Sequence, residues 1–218
     1  RSAQALQPEA FETAANETEA VVLDVRNQDD FVKGHIPRSI FIGLDGSFAP
    51  WVGALIGDVK QPILLVAPEN REEEAIKRLS RIGFDQTLGY LKGGFDAWKK
   101  VSKAYDTVSS IPAATFKKVK ASGDISIFDV RKEGEFLSEH LLGANNTPLD
   151  SINSHLAEFP KENTFYVHCA GGYRSMIAAS ILKSRGIHNL IDVQGGFKAI
   201  KEAEVEVSTY VCTSRNKL

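Results

Sequence analysis

A long internal duplication most constrains what this 218-residue chain can fold into. The segment VVLDVRNQDDFVKGHI, residues 21–36, is echoed by ISIFDVRKEGEFLSEHL, residues 125–141. A second echo pairs YLKGGFDAW, residues 90–98, with DVQGGFKAI, residues 192–200. The echoes are 105 and 102 positions apart, a period too long for a solenoid repeat and typical of a duplicated domain. The residues matched in the first echo are Asp24 and Asp129, Arg26 and Arg131, Phe31 and Phe136, and His35 and His140.

Each copy alternates short apolar, β-branched runs with amphipathic stretches of helical period. Apolar strands separated by helices indicate a mostly parallel sheet with helices on both faces. We therefore predict an α/β protein of two tandem domains, residues 1–104 and 105–218, joined within the polar segment 102–112. The predicted strands are 21–25, 63–67, 88–91, 125–130, 164–168 and 190–193, and the predicted helices are 72–81, 94–99, 175–185 and 196–202.

Composition and charge argue against several classes of function. A formal net charge of −2 gives no global attraction to nucleic acid or to an anionic membrane surface. No apolar run approaches the roughly 20 residues that span a bilayer, and the N-terminus lacks a signal-peptide core, so we expect a cytoplasmic protein. Five histidines without metal-ligand spacing lead us to expect neither a metal nor a cofactor. Two cysteines, Cys169 and Cys212, are not the disulfide framework of a small secreted domain.

The segment FYVHCAGGYRS, residues 165–175, places Cys169 between a predicted strand and a predicted helix. Glycine tolerates positive φ, so Gly171 and Gly172 allow successive N–H groups to turn toward the sulfur. The N-terminus of a helix beginning near Ser175 and the charge of Arg174 add positive potential. Together these features favour the thiolate, which is the nucleophilic form of cysteine. A buried and inert cysteine is the alternative, and the two glycines and the arginine argue against it.

Three motifs resemble those of a rhodanese domain and occur in the right order along the chain. They are the DVR of residues 129–131 followed by Glu135, Phe136 and His140, the loop CAGGYRS of residues 169–175, and the GGF of residues 195–197. The likeness covers nearly the whole chain as two tandem rhodanese-like units. It implies a sulfurtransferase in which Cys169 takes a sulfane sulfur from thiosulfate or a thiol persulfide, holds it as a cysteine persulfide and passes it to a nucleophilic acceptor. It also implies that residues 169–174 are the active-site loop. The predicted substrate-binding residues are Ala170, Gly171, Gly172, Tyr173, Arg174 and Arg131.

The first unit departs from this pattern. Aligning Arg71 with Arg174 places Val66 opposite Cys169, and the loop there reads VAPENRE. Pro68 lacks an N–H, and the Glu69 carboxylate would repel an anion. Because residues 1–168 contain no cysteine, we predict a first domain that lacks the catalytic thiol and serves in packing, access or partner binding.

The segment SFAPWVGALIGDVKQPILLVA, residues 47–67, is similar to the first rhodanese unit of proteins with an upstream metallo-β-lactamase-fold persulfide dioxygenase domain. This likeness implies that the chain is the C-terminal rhodanese pair of such a fusion, with that domain as an intramolecular partner. The residues encoded upstream of Arg1 would test the expectation.

For several other residues a structural role is possible as well as a functional one. The duplication of Arg131 as Arg26 favours a salt bridge to the neighbouring aspartate, with a part in holding an anionic substrate as the alternative. Arg174 binds substrate or bridges to a carboxylate, and Tyr173 lines the mouth of the site or faces solvent. His168 should point to the face of the strand opposite the cysteine.

No direct role in catalysis is expected for His35, His140 or Cys212. His35 and His140 occur in both units and are predicted to be structural. Cys212 follows the last repeat element and is predicted to be incidental, with resolution of a persulfide as the alternative.

Two other functions stay open beside sulfur transfer. A non-catalytic sensor or docking module would use the cysteine only to hold a modification. A cysteine phosphatase would need a wider loop, since the related phosphatases have five residues between cysteine and arginine and this chain has four. With Arg174 as the obvious loop cation, a thiol persulfide suits the site better than the thiosulfate dianion.

Overall fold

The computed structural model describes residues 3–209, and within them the chain divides into two compact units. The first comprises the residues up to Val108 together with Ala179–His188. The second comprises Ser109–Ala178 together with the residues from Asn189 onward. Both units are α/β, each built on a sheet of five parallel strands with helices around it, as the duplication predicts.

In the first unit the strands are β1 (Gln4–Leu6), β2 (Val21–Asp24), β3 (Ile40–Phe41), β4 (Ile63–Val66) and β5 (Thr87–Leu91). They pair in the order β1-β5-β4-β2-β3. The helices are α1 (Pro8–Glu17), α2 (Gln28–Lys33), α3 (Phe48–Ile56), α4 (Glu72–Ser80) and α5 (Gly94–Lys100). Proline at the first position of α1 and three glutamates in the first turn of α4 suit helix N-termini. The apolar core on one face of this sheet is Phe11, Ile36, Leu64, Val66, Leu91, Phe95 and Trp98.

The second unit repeats this order with strands β6 (Ser110–Ile111), β7 (Ser126–Asp129), β9 (Asn145–Asn146), β10 (Phe165–His168) and β11 (Leu190–Val193), paired as β6-β11-β10-β7-β9. Two further strands, β8 (Glu139–Leu141) and β12 (Val207–Thr209), form an antiparallel pair. The helices are α6 (Ala113–Ala121), α7 (Glu133–Ser138), α9 (Gly196–Glu202) and the first half of α8 (Tyr173–Ser184), with 3₁₀ turns at Leu149–Ser154 and Leu156–Glu158.

Side-chain alternation along the second sheet separates two faces. Tyr166 and Val193 pack with Phe116 and Ile200 in an apolar cluster on one face. Phe165 alternates with Tyr166 and therefore lies on the other face, in contact with aromatic rings there. Every residue of β10 is buried, His168 included, as is usual for a strand of a parallel sheet that is covered on both faces.

Strand register corrects the alignment of the two loops. Asp24 pairs with Val66, and the equivalent Asp129 pairs with His168. Val66 therefore corresponds to His168, and Ala67, not Val66, occupies the position of Cys169. The alignment through the arginines was wrong by one residue because the first loop is one residue shorter.

No helix among residues 3–209 combines the length and the apolar character that crossing a membrane requires.

Candidate active site

Cys169 is the first residue after β10, and it is buried with a free thiol. The Gly172 N–H donates a hydrogen bond to its Sγ at 3.1 Å, and the Ser175 Oγ lies 3.5 Å from the same sulfur. The thiol is thus covered by polar groups of the loop and of the following helix. A main-chain amide facing sulfur favours a negative charge on it.

Helix α9 fixes the first two residues of the loop. The Cys169 carbonyl accepts the Phe197 N–H at 2.7 Å, and the Ala170 carbonyl accepts the Lys198 N–H at 3.1 Å. This approach requires glycine at Gly196, where φ is +61° and a Cβ would lie 2.6 Å from the Cys169 carbonyl oxygen. The duplicated Gly-Gly-Phe motif therefore positions the cysteine loop.

The two loop glycines differ in what the structure demands of them. Gly172 has a φ of +116°, which side chains rarely adopt, and its amide contacts the sulfur. Gly171 is exposed, and a Cβ there would meet nothing within 4 Å. Positive φ is thus required at one of the two glycines rather than at both.

Helix α8 begins at Tyr173, two residues earlier than predicted. Tyr173 and Arg174 consequently belong to its first turn, and the irregular part of the loop is residues 169–172. Tyr173 and Ala170 are half-buried. The cysteine therefore faces a helix N-terminus that lies closer than the sequence indicated.

Arg174 is paired with a carboxylate. Its Nη1 and Nη2 donate to the two Glu135 carboxylate oxygens at 2.6 and 3.0 Å. These hydrogen bonds raise the pKa of Arg174 and lower the pKa of Glu135. The Glu135 carboxylate therefore largely offsets the positive charge that Arg174 was predicted to bring to the loop. Of the two roles predicted for Arg174, substrate binding and a bridge to a carboxylate, the structure contains the bridge.

Arg131 lies in a buried clamp. Its Nε and Nη2 bind the Asp129 carboxylate, Nη2 also donates to the Glu139 carbonyl at 2.7 Å, and the guanidinium lies 4.1 Å from the Phe197 ring centre. Arg26 makes the equivalent contacts with Asp24, the Gly34 carbonyl and Phe95. The predicted salt bridge is present in both units, while substrate binding by Arg131 stays a prediction.

Three histidines, His35, His140 and His168, each stack on a phenylalanine ring. His168 points to the face opposite Phe165, as alternation predicts, where its ring stacks on Phe197 and its Nδ1 lies 3.0 Å from the Cys169 carbonyl. Burial lowers the pKa of His168. His35 and His140 each stack on the phenylalanine four residues earlier, in agreement with their predicted role.

Two residues beside the thiol, Ser175 and Asp192, were not predicted from the sequence to belong to the site. The Ser175 hydroxyl contacts Sγ and is hydrogen-bonded to the Asp192 carboxyl. Burial raises the pKa of Asp192 to about 7, and the Ser175 hydrogen bond opposes the rise. An aspartate inside the apolar strand LIDV was the available signal. Cys212 lies outside the described residues.

The family described as "Rhodanese-like domain" has a sequence model that matches residues 7–101 and 112–203.

Two curated proteins illustrate the relatives of this chain. The "Uncharacterized protein YqhL" of Bacillus subtilis (strain 168) is 35% identical over 72 residues, covering 33% of this chain and 57% of that protein. The "Adenylyltransferase and sulfurtransferase uba4" of Ogataea parapolymorpha is 30% identical over 93 residues, covering 42% of this chain and 24% of that protein. The chain therefore spans less than two thirds of either relative.

Among solved structures, a thiosulfate sulfurtransferase from Pseudomonas aeruginosa is 19% identical with a TM-score of 0.42, covering 95% of this chain and 44% of that one. Because the family model matches both halves of the chain, the protein belongs to the rhodanese-like domain family and contains two copies of that domain in tandem.

Proposed function

We propose that the protein is a sulfurtransferase in which Cys169 alternates between thiol and persulfide. The observation that carries this proposal is the hydrogen bond from the Gly172 N–H to the Cys169 Sγ, at the end of a parallel strand and beside a helix N-terminus. Family membership supports it, and so does the word sulfurtransferase in the name of the curated relative.

Sulfur transfer at this site needs no oxidant or metal. The Cys169 thiolate attacks the outer sulfur of a donor R–S–SH, the donor S–S bond breaks, and R–S⁻ leaves with the electron pair. Cys169 then holds the outer sulfur as a persulfide. A nucleophilic acceptor attacks that sulfur, and the Cys169 thiolate is released unchanged.

The charges around the thiol favour a thiol persulfide over thiosulfate as donor. The two cations that the sequence offers for a dianion are both paired, Arg174 with Glu135 and Arg131 with Asp129. A donor with one negative charge or none loses less solvation on entering such a site than thiosulfate does.

Mass spectrometry of the intact chain after exposure to glutathione persulfide or thiosulfate tests the proposal. We expect Cys169 to gain the mass of one sulfur atom and to lose it on addition of cyanide. A Cys169→Ser variant should gain none, whereas Cys212→Ser, which keeps Cys169, should behave as the unchanged chain.

A thiol introduced into the first unit provides a second control. In the double variant Ala67→Cys/Cys169→Ser the thiol occupies the equivalent position, but Pro68 offers no N–H there and the loop is shorter. We expect no turnover from it. Absence of sulfur on Cys169 together with hydrolysis of phosphate esters would instead favour a phosphatase.

A further inference from the structure

Asp192 is a carboxyl group buried in an apolar strand. It is 3% exposed, and its Oδ1 has no hydrogen-bond partner among the described residues. Aspartate is rarely this buried without a charged partner, and an unpaired buried carboxylate is unfavourable. The position therefore calls for an explanation beyond packing.

Strand geometry places Asp192 beneath the cysteine loop. Ile191 and Val193 belong to the apolar cluster on one face of the sheet, so Asp192 between them points to the other face. Its register partner on β10 is Val167, two residues before Cys169. There the carboxyl meets the Ser175 hydroxyl in the first turn of α8.

Ser175 links the carboxyl to the thiol. Its Oγ is 3.5 Å from the Cys169 Sγ, accepting from the thiol, and it is hydrogen-bonded to Asp192. The Gly172 carbonyl, at 3.3 Å, is a competing acceptor for the single hydroxyl proton. A carboxylate is a stronger acceptor than a neutral carbonyl, so the hydroxyl turns to Asp192 whenever that group is ionised.

We propose that Asp192 takes up the proton of the Cys169 thiol through the Ser175 hydroxyl, and returns it when the cycle ends. Asp192 acts through Ser175 and is thus a positioning residue, whereas Ser175 contacts the reacting sulfur. The inference deepens the proposed sulfur transfer and rests on it for its biological purpose.

The relay conserves charge and requires no other reactant. The Cys169 S–H bond breaks and its proton passes to the Ser175 Oγ, while the hydroxyl proton of Ser175 passes to the Asp192 carboxylate. A thiol and a carboxylate become a thiolate and a carboxylic acid. When an acceptor takes the outer sulfur and the Cys169 thiolate is released, the proton travels back.

The surroundings of Asp192 suit it to hold a proton near neutral pH. Burial raises its pKa to about 7, whereas an ordinary aspartate would be ionised and unable to return a proton. Two ionisable groups near the loop are engaged elsewhere. Arg174 pairs with Glu135 on α7, and His168 lies against Phe197 on the opposite face of the sheet.

The first unit has neither an aspartate nor a cysteine at the two equivalent positions. Tyr90 pairs with Leu65 as Asp192 pairs with Val167, and Ala67 replaces Cys169. The carboxyl is therefore present in the unit that has the thiol, and a tyrosine takes its place in the other.

The rate of Cys169 alkylation by iodoacetamide between about pH 5 and pH 9 tests the relay without requiring sulfur transfer. All variants are made in a Cys212→Ser background, so that one thiol reacts. In the parent chain we expect the rate to rise as Asp192 ionises, and burial raises the pKa of Asp192 to about 7. In Asp192→Asn the midpoint should move upward, and the rate at pH 7 should fall roughly tenfold.

Ser175→Ala should reproduce the change, and the double variant should be no slower than either single variant, because both remove one relay. Circular dichroism checks that each variant is folded. An unchanged profile in Asp192→Asn, a faster reaction at pH 7, or additive losses in the double variant would overturn the relay. If the parent chain shows the expected profile but never gains sulfur from a donor, the proposed function fails while the relay stands.

Discussion

The Arg174 guanidinium donates two hydrogen bonds to the Glu135 carboxylate, at 2.6 and 3.0 Å. Both residues belong to the second unit, and Glu135 also accepts the Lys132 N–H at the start of α7. The loop arginine is therefore held away from the role of a free cation, which bears directly on which donors the site accepts.

Replacing Glu135 should change donor preference. In Glu135→Gln the Arg174 charge is no longer neutralised, so a dianion gains more than a singly charged donor does. We expect kcat/KM for thiosulfate to rise roughly fivefold relative to that for glutathione persulfide, corresponding to about 1 kcal/mol for a partly exposed pair. The control is Glu133→Gln, an exposed carboxylate in the same helical turn. An unchanged ratio of the two kcat/KM values would show that the Arg174 charge does not interact with the bound donor.

Much of the fold was predictable because it depends on local pattern. Apolar runs predicted β2, β4, β10 and β11 to within a residue or two. The short edge strands, such as β3 and β9 with two residues each, have too few residues for a periodic signal. The upstream metallo-β-lactamase-fold domain stays a prediction.

The site was less predictable because its decisive contacts join residues distant in sequence. Glu135 and Arg174 are 39 positions apart, and no pattern reveals that they pair. The one-residue difference between the loops was hidden because Val66 and Ala67 are both apolar. The sequence shows Asp192 only as an ionisable residue in an apolar strand. Its proposed role depends on the hydrogen bond with Ser175, which no sequence pattern reveals.

The two aspartate–arginine clamps permit a matched test of Arg131. We expect Arg131→Lys and Arg26→Lys each to lower the free energy of unfolding by about 2 kcal/mol, because lysine cannot replace the two-pronged contact with a buried carboxylate. Urea denaturation measures both. If the clamp is the whole role of Arg131, neither variant alters the KM for the sulfur donor. A KM increase confined to Arg131→Lys would assign that guanidinium to substrate binding instead.

Gly196 should be less replaceable than its counterpart Gly94. Both have positive φ, so alanine at either costs about 1 kcal/mol in backbone strain. At Gly196 the new Cβ would also lie 2.6 to 2.8 Å from backbone atoms of Cys169 and Ala170, against 3.4 Å from the Ala67 oxygen at Gly94. We expect Gly196→Ala to cost about 2 kcal/mol more in urea denaturation and to reduce sulfur uptake. Equal effects in the two variants would argue against the loop contact.

Asp192 should make stability depend on pH in a predictable direction. Its pKa is raised by burial to about 7 in the folded protein, against about 3.9 in the unfolded chain. The unfolded chain therefore releases the proton first, so stability from this group is complete below about pH 4 and is lost as pH rises to about 7. Asp192→Asn has no such titration, so its stability relative to the parent should increase across this range, by up to about 4 kcal/mol. Urea denaturation at a series of pH values measures the difference, with the exposed Asp150→Asn as control. A difference that stays constant with pH would mean that folding does not raise the pKa of Asp192.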